Sequence, residues 1–201
     1  MHEYMNFNNA EPQVSLIPKG TIAKAAVTLR GGNHGDEALL SKSEKTGSIG
    51  LNVEFTITEG EYKNRKIFQL LGIQGNKKDD SGNDIWGSMG RSLIRGILES
   101  AHNISHEDES PKAQAIRDLD KFSKLNNLQC LVKIGVEVDK TGQYDDKNKV
   151  IKIITLGTKE YNEYYNTNPI ASNQVSNGKY VSPAASSKSV GHSDLDDELP
   201  F

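Results

Sequence analysis

Residues 62–68, YKNRKIF, interleave cationic and aromatic side chains within one short stretch. Cations that pair with phosphates and aromatic rings on which bases stack are the two components of non-specific contact with single-stranded nucleic acid. If this stretch enters a β-strand, alternation places Lys66 and Phe68 on one face and Arg65 on the other. A core position for Phe68, and a turn position for Tyr62 packed on the sheet, stay open as alternatives. The candidate contacts are Tyr62, Lys63, Arg65, Lys66 and Phe68.

Other aromatic and basic residues could extend this contact. Trp86 is the single tryptophan and lies between a polar loop and a helical pattern, so it either stacks on a base or closes the core. Four basic residues project from predicted strand faces that otherwise carry polar side chains: Lys24, Arg30, Lys133 and Lys152. Each alone is an ordinary solvated charge, but several on one face would form a groove for a phosphate backbone.

The sequence gives little indication of a catalytic or metal site. In HNISHEDE, residues 102–109, His102 and His106 precede three acidic residues, and on a continuous helix they would resemble a metal-binding pair. Asn103 and Ser105 instead predict that the helix ends there, and no glutamate separates the histidines as in H-E-x-x-H. No G-x-S-x-G elbow occurs. We therefore predict no catalytic residue, metal or cofactor, with a small metal-dependent nuclease as the less favoured alternative.

Cysteine usage and the first residues bear on the compartment. Cys130 is the only cysteine, so no disulfide can form within the chain, as expected in a reducing cytoplasm. The opening MHEYMNFNNAEPQ lacks the basic region and apolar run of a secretory signal. No stretch approaches the roughly 18 apolar residues of a membrane helix. We predict a cytoplasmic protein without a membrane partner.

The end of the chain, SDLDDELPF at residues 193–201, concentrates negative charge. The net charge is −3, from 24 Lys+Arg against 27 Asp+Glu, and the four acidic residues of this segment account for the excess. Residues 161–193 are rich in Asn, Ser, Ala and Val and predict a flexible linker, because few large apolar side chains are available to offset ordering entropy. The predicted organisation is a folded domain at 1–160, a linker at 161–193 and an acidic tip at 194–201. The tip carries the predicted partner-binding residues Asp194, Asp196, Asp197, Glu198, Leu199, Pro200 and Phe201.

Hydrophobic periodicity predicts a mostly β domain. Alternation typical of strands occurs at residues 20–30, 47–58, 65–75, 128–139 and 149–157. Two helices with N-caps at Ser88 and Ser110 are predicted between the third and fourth strands. Five strands with helices at that place match the order of the OB-fold, a small, partly open barrel that binds oligonucleotides on one face. Other five-stranded barrels and sandwiches share the same count.

Two resemblances to known families agree with this pattern. The end DLDDELPF resembles the acidic tip of bacterial single-stranded-DNA-binding proteins, with Leu199 where isoleucine is usual and with Leu195 and Glu198 interrupting the aspartates. The body is similar to a phage and prophage family of OB-fold single-stranded-DNA-binding proteins over most of residues 5–156. The segments that carry this likeness are MNFNNAEPQ, LIPKGTIAKAAVTLR, FTITEGEYKNRKIFQLLGIQG and GRSLIRGILESA.

The resemblance implies a function as well as a fold. A protein of this kind would coat single-stranded DNA with little sequence preference and recruit replication, recombination or repair proteins through its tip. It would act in the cytoplasm of a bacterial host, with a homo-oligomer allowed. The rival binding function is that of a recombination annealing protein, which pairs complementary strands.

Overall fold

The computed structural model of the chain describes residues 16–168. The predicted acidic tip, the linker from residue 169 onward and the MNFNNAEPQ segment lie outside the described residues. Within them, the elements follow the order β1 (Ile22–Leu29), β2 (Leu40–Lys42), β3 (Ile49–Ile57), β4 (Lys66–Gln74), α1 (Ile85–Ala101), α2 (Pro111–Arg117), β5 (Gln129–Glu137), β6 (Lys147–Ile154) and α3 (Lys159–Thr167). The five predicted strands and both helices between the third and fourth of them are confirmed, and β2 and α3 are additional.

All strand pairs in the sheet are antiparallel. The strand β3 pairs with β4 along one edge, while its other edge pairs with β2 through its first residues and with β1 through its last. The sheet continues from β1 to β5 and β6. Among the described residues β4 and β6 share no backbone ladder. The sheet is therefore open, which differs from a closed barrel.

One side chain spans the gap between these two edge strands. The Gln69 amide on β4 donates to the carbonyl oxygen of Val150 at 3.2 Å and accepts from the Val150 backbone N–H at 2.9 Å. A side-chain amide thus makes the two hydrogen bonds that a backbone partner would supply.

The core lies on the inner face of the curved sheet, where strand alternation predicted it. Leu51, Phe55 and Ile57 of β3 are buried with Val27 of β1, and α1 adds Ile97. The alternation predicted for β5 holds at Val132 and Ile134. It fails at Val138, which is exposed because β5 ends at Glu137 and the chain enters a turn.

Helix α1 closes the core at one end, and its start differs from the prediction. Asp84, not Ser88, is the N-cap, because its carboxylate accepts the backbone N–H groups of Gly87 at 2.8 Å and of Gly75 at 2.7 Å. These hydrogen bonds hold the pKa of Asp84 below its ordinary value. For α2 the predicted cap is confirmed, since Ser110 accepts the N–H of Ala113 at 3.2 Å.

The last described helix, α3, occupies the start of the segment predicted to be a linker. Thr158 caps it, and Tyr161 packs against Leu131 and Ile154 on the outer face of β5 and β6. Tyr164 donates a hydrogen bond to the Glu59 carboxylate at 2.7 Å. Tyrosines spaced three and four residues apart give this polar stretch an apolar stripe. The folded part of the chain therefore extends beyond the predicted boundary at residue 160.

A buried carboxylate ties α1 to α2. Glu99 on α1 is 1% exposed, and its Oε1 accepts from Nε of Arg95 at 2.7 Å and of Arg117 at 2.8 Å. Its Oε2 lies 3.1 Å from Nδ1 of His106. Burial alone would raise the pKa of Glu99, but the hydrogen bonds from Arg95, His106 and Arg117 outweigh it and hold the pKa below its ordinary value.

Replacing Glu99 with glutamine is expected to lower the free energy of unfolding at pH 7 by about 3 kcal/mol, because Arg117 loses its buried counter-ion. Since the folded-state pKa is depressed, the carboxylate stabilises fully above its unfolded pKa of roughly 4.3. That contribution disappears as the pH falls through the folded-state pKa. Urea unfolding at neutral and acid pH should show the two proteins converging in acid. A difference that stays constant with pH would contradict this, and the exposed Glu107→Gln is the matched control.

Candidate nucleic-acid interface

The outer face of β3 and β4 presents a row of exposed side chains, which we call the outer row. Lys66, Phe68 and Leu70 alternate outward on β4, and Phe68 is 55% and Leu70 47% exposed. The prediction that Lys66 and Phe68 share a face is confirmed, and a core position for Phe68 is wrong. Six residue steps from Lys66 to Gly72 span roughly 20 Å at the rise of a β-strand.

Trp86 continues this row where β4 carries a glycine. Its side chain lies across Gly72 and Gly50, and a Cβ on Gly72 would lie 2.6 Å from the indole Cδ2. A Cβ on Gly50 would lie 2.7 Å from Leu70 Cδ1 and 3.0 Å from the indole Cη2. Trp86 is half-buried by these contacts. The missing side chains of the two glycines thus leave room for the indole ring at the end of the row.

Two cations flank Phe68. The guanidinium carbon of Arg30 lies 5.3 Å from the centroid of the Phe68 ring, which is a cation–π distance. Arg30 Nη1 is 2.9 Å from Glu54 Oε2, and Lys66 Nζ is 2.7 Å from Glu54 Oε1. Arg30 and Lys66 remain about half exposed, with 57% and 52% of their side chains accessible. Both cations can therefore reach a ligand on the outer face.

A cleft of about 350 Å³ opens between Arg30 and the row on β4. Its walls are formed by Arg30, Gly31, Asn52, Val53, Phe68, Gln69 and Leu70. The Asn52 amide is oriented by a 2.7 Å hydrogen bond from its Nδ2 to the Ser41 hydroxyl. The cleft places a guanidinium and a side-chain amide beside the apolar side chains of Phe68 and Leu70.

Three predicted contacts lie elsewhere on the sheet. Lys133 and Lys152 form ion pairs with Glu160 of α3, at 3.5 Å and 3.1 Å. Lys24 pairs in register with Leu131, which α3 covers. The prediction that these lysines join Arg30 in one open groove is not met, because α3 occupies their part of the outer face.

The residues of the YKNRKIF stretch that precede Lys66 lie in the turn before β4. Lys63 is exposed in that turn, and Tyr62 is half-buried against the core. Arg65 is half-buried and its carbonyl oxygen accepts the Ile57 N–H. Of this stretch, only Lys66 and Phe68 lie in the outer row.

The histidine cluster does not assemble a metal site. His106 faces the buried Glu99 carboxylate, and the loop of residues 105–108 is held by Arg117, which donates to three of its backbone carbonyls. Within residues 16–168, no group of three or more His, Cys, Asp or Glu side chains could hold a metal ion.

Comparison of the chain with protein-family models, with curated proteins and with solved structures found no match. In the described part of the chain, no helix is both long and apolar enough to cross a membrane.

Sequence reasoning missed several residues of this face. Leu70 could have been found, because strict alternation places it on the side of Lys66 and Phe68. Glu54 could not, since only the strand register sets it directly opposite Phe68. No local sequence pattern predicts that Gly50 and Gly72 leave room for the indole ring of Trp86.

Proposed function

We propose that the chain binds single-stranded DNA with little sequence preference on the outer face of β3 and β4. The observation that carries this proposal is the row formed by the exposed Phe68 and Leu70 and the half-buried Trp86, with Arg30 and Lys66 on its flanks. Aromatic faces accept any base by stacking, and the two cations supply phosphate contacts that do not depend on sequence. An exposed phenylalanine beneath a guanidinium has no role in the core.

We further propose that the sheet is an OB-fold. The path from β4 through β3, β1 and β5 to β6 brings the two end strands together, and the Gln69 amide bridges them. This supports a five-stranded, partly open barrel in which β2 is an addition. In such barrels the face of the second and third strands binds oligonucleotides, and β3 and β4 occupy those positions here.

The experiment that tests DNA binding is a titration with oligo-dT, monitored by quenching of Trp86 fluorescence. Because Trp86 is the single tryptophan, its emission reports on the proposed face directly. We expect saturable quenching that weakens as salt rises. Absence of binding at low salt contradicts the proposal. Cleavage of the oligonucleotide after adding Mg²⁺ or Mn²⁺ would favour a nuclease, and faster pairing of complementary strands would favour an annealing protein.

A second part of the proposal concerns the acidic tip at residues 194–201, and its support comes from the sequence alone. Acidic side chains at residues 194–198 would be drawn to a basic partner surface, and Phe201 would supply an apolar anchor. We propose that this tip recruits enzymes of replication, recombination or repair. Deleting residues 194–201 is expected to abolish binding to those enzymes while oligo-dT binding persists. Partner binding that survives the deletion, measured with purified components, would refute the role of the tip.

A further inference from the structure

A buried acid lies in the middle of the surface that is proposed to bind a polyanion. Glu54 is 4% exposed and faces Phe68 directly across the β3–β4 pair. Its carboxylate accepts hydrogen bonds from Lys66 at 2.7 Å, from Arg30 at 2.9 Å and from the Thr56 hydroxyl at 3.2 Å. A negative charge at this place weakens the attraction for phosphate, so its presence calls for a physical reason.

Glu54 remains ionised at neutral pH. The hydrogen bond from Lys66 lowers its pKa, those from Arg30 and Thr56 add to this, and together they outweigh the opposing effect of burial. The group of Glu54, Arg30 and Lys66 therefore carries one net positive charge instead of two.

We infer that Glu54 is the positioning residue and internal counter-ion of the single-strand interface, fixing Arg30 above the Phe68 ring and Lys66 beside it. This inference rests on the proposed function. Arg30 uses one of its five N–H donors on Glu54, and Lys66 uses one of three. Both side chains keep further donors and remain half exposed, so each can contact a phosphate without leaving the carboxylate.

This arrangement weakens the electrostatic attraction for phosphate, but it holds the side chains of Arg30 and Lys66 in place before DNA binds. A side chain that is already held loses less conformational entropy when it binds, and that gain does not depend on salt. Cancelling one charge reduces the number of counter-ions released from the nucleic acid, so affinity falls less steeply with salt. The wild-type interface is thus suited to hold DNA at higher ionic strength than two free cations would.

Two substitutions distinguish the effect of the negative charge of Glu54 from the effect of its position. In Glu54→Gln the interface gains about one effective charge, so the slope of log affinity against log salt should steepen by about 0.7. In Glu54→Asp the charge is kept but the carboxylate is withdrawn by one methylene. We expect a wild-type slope there, with affinity for oligo-dT about 2- to 12-fold weaker at every salt concentration.

The control is Glu107→Gln, which makes the same change of net charge at an exposed site on the loop between α1 and α2, away from β3 and β4. Its slope and affinity should equal those of the wild type. A wild-type slope in a folded Glu54→Gln would overturn the inference. If that variant does not fold, unchanged affinity in Glu54→Asp would overturn it instead. Failure of the wild type to bind oligo-dT would refute the proposed function itself.

Discussion

Replacing Phe68 with alanine is expected to weaken oligo-dT binding by about 5- to 150-fold, the range for loss of one stacked base. The ring is more than half exposed and lies under the Arg30 guanidinium, so its loss removes a stacking surface and the cation–π contact together. Because little apolar surface is buried there, the free energy of unfolding should change by less than about 1 kcal/mol. Fluorescence titration and urea unfolding of the same preparation measure the two effects.

Two conservative variants show whether the aromatic face itself matters. Phe68→Tyr keeps the ring and should bind within a few-fold of the wild type. Phe68→Leu keeps apolar bulk without a π-face and should lose nearly as much affinity as alanine. If Phe68→Ala, Phe68→Tyr and Phe68→Leu all bind oligo-dT as tightly as the wild type, Phe68 is not a stacking residue and the interface lies elsewhere.

Replacing Gly90 with alanine is expected to cause a large loss of stability. A Cβ at this position would lie 2.0 Å from the backbone oxygen of Gly72 and 2.4 Å from its nitrogen, closer than any real contact. Alanine normally stabilises a helix relative to glycine by about 1 kcal/mol. Here two backbones touch and no rotamer change can relieve the overlap, so α1 must move away from β4. We expect a net loss of about 3 kcal/mol.

Thermal unfolding measures this loss, which corresponds to a fall in Tm of about 6–12 °C. Ser92→Ala, an exposed position on the same helix, is the control and should be neutral or slightly stabilising. An unchanged Tm for Gly90→Ala would mean that α1 does not pack this closely on β4. The variant should also weaken DNA binding, because a displaced α1 moves Trp86 away from Gly72 and Gly50.

Both expected effects follow from the way in which the core positions the proposed interface. Phe68 is carried by β4 and Trp86 by α1, so the spacing of the two rings is set by the glycine contact between these elements. A site mounted on a packed strand and helix holds its geometry better than one on loops. Residues outside the proposed interface, such as Gly90, are therefore expected to change its affinity for DNA.

Much of the fold could be predicted from local sequence. The alternation in β3 and β5 identified their buried faces, and Ser110 before Pro111 marked the start of α2. The same alternation placed Lys66 and Phe68 side by side. These predictions succeed because strand and helix periodicities are properties of neighbouring residues.

The prediction that the linker begins at residue 161 was wrong because of the composition of α3. Residues 161–167 consist of Tyr, Asn, Glu and Thr, which is typical of a linker. The tyrosines gain partners only through the fold, because Tyr161 packs against Leu131 and Tyr164 donates a hydrogen bond to Glu59, and both partners lie far away in sequence. As a result Lys133 and Lys152, which looked like free cations, are paired with Glu160.

By itself, the sequence determined which residues share a face along most of β3, β4 and β5, and so the pairing of Lys66 with Phe68. The tertiary structure alone decided that Arg30 lies over that ring, that Glu54 anchors both cations, and that Trp86 rests on two glycines. The reason is that these contacts depend on strand register and on the approach of α1 to β4. Both are set by the packing of distant segments, which no local pattern encodes.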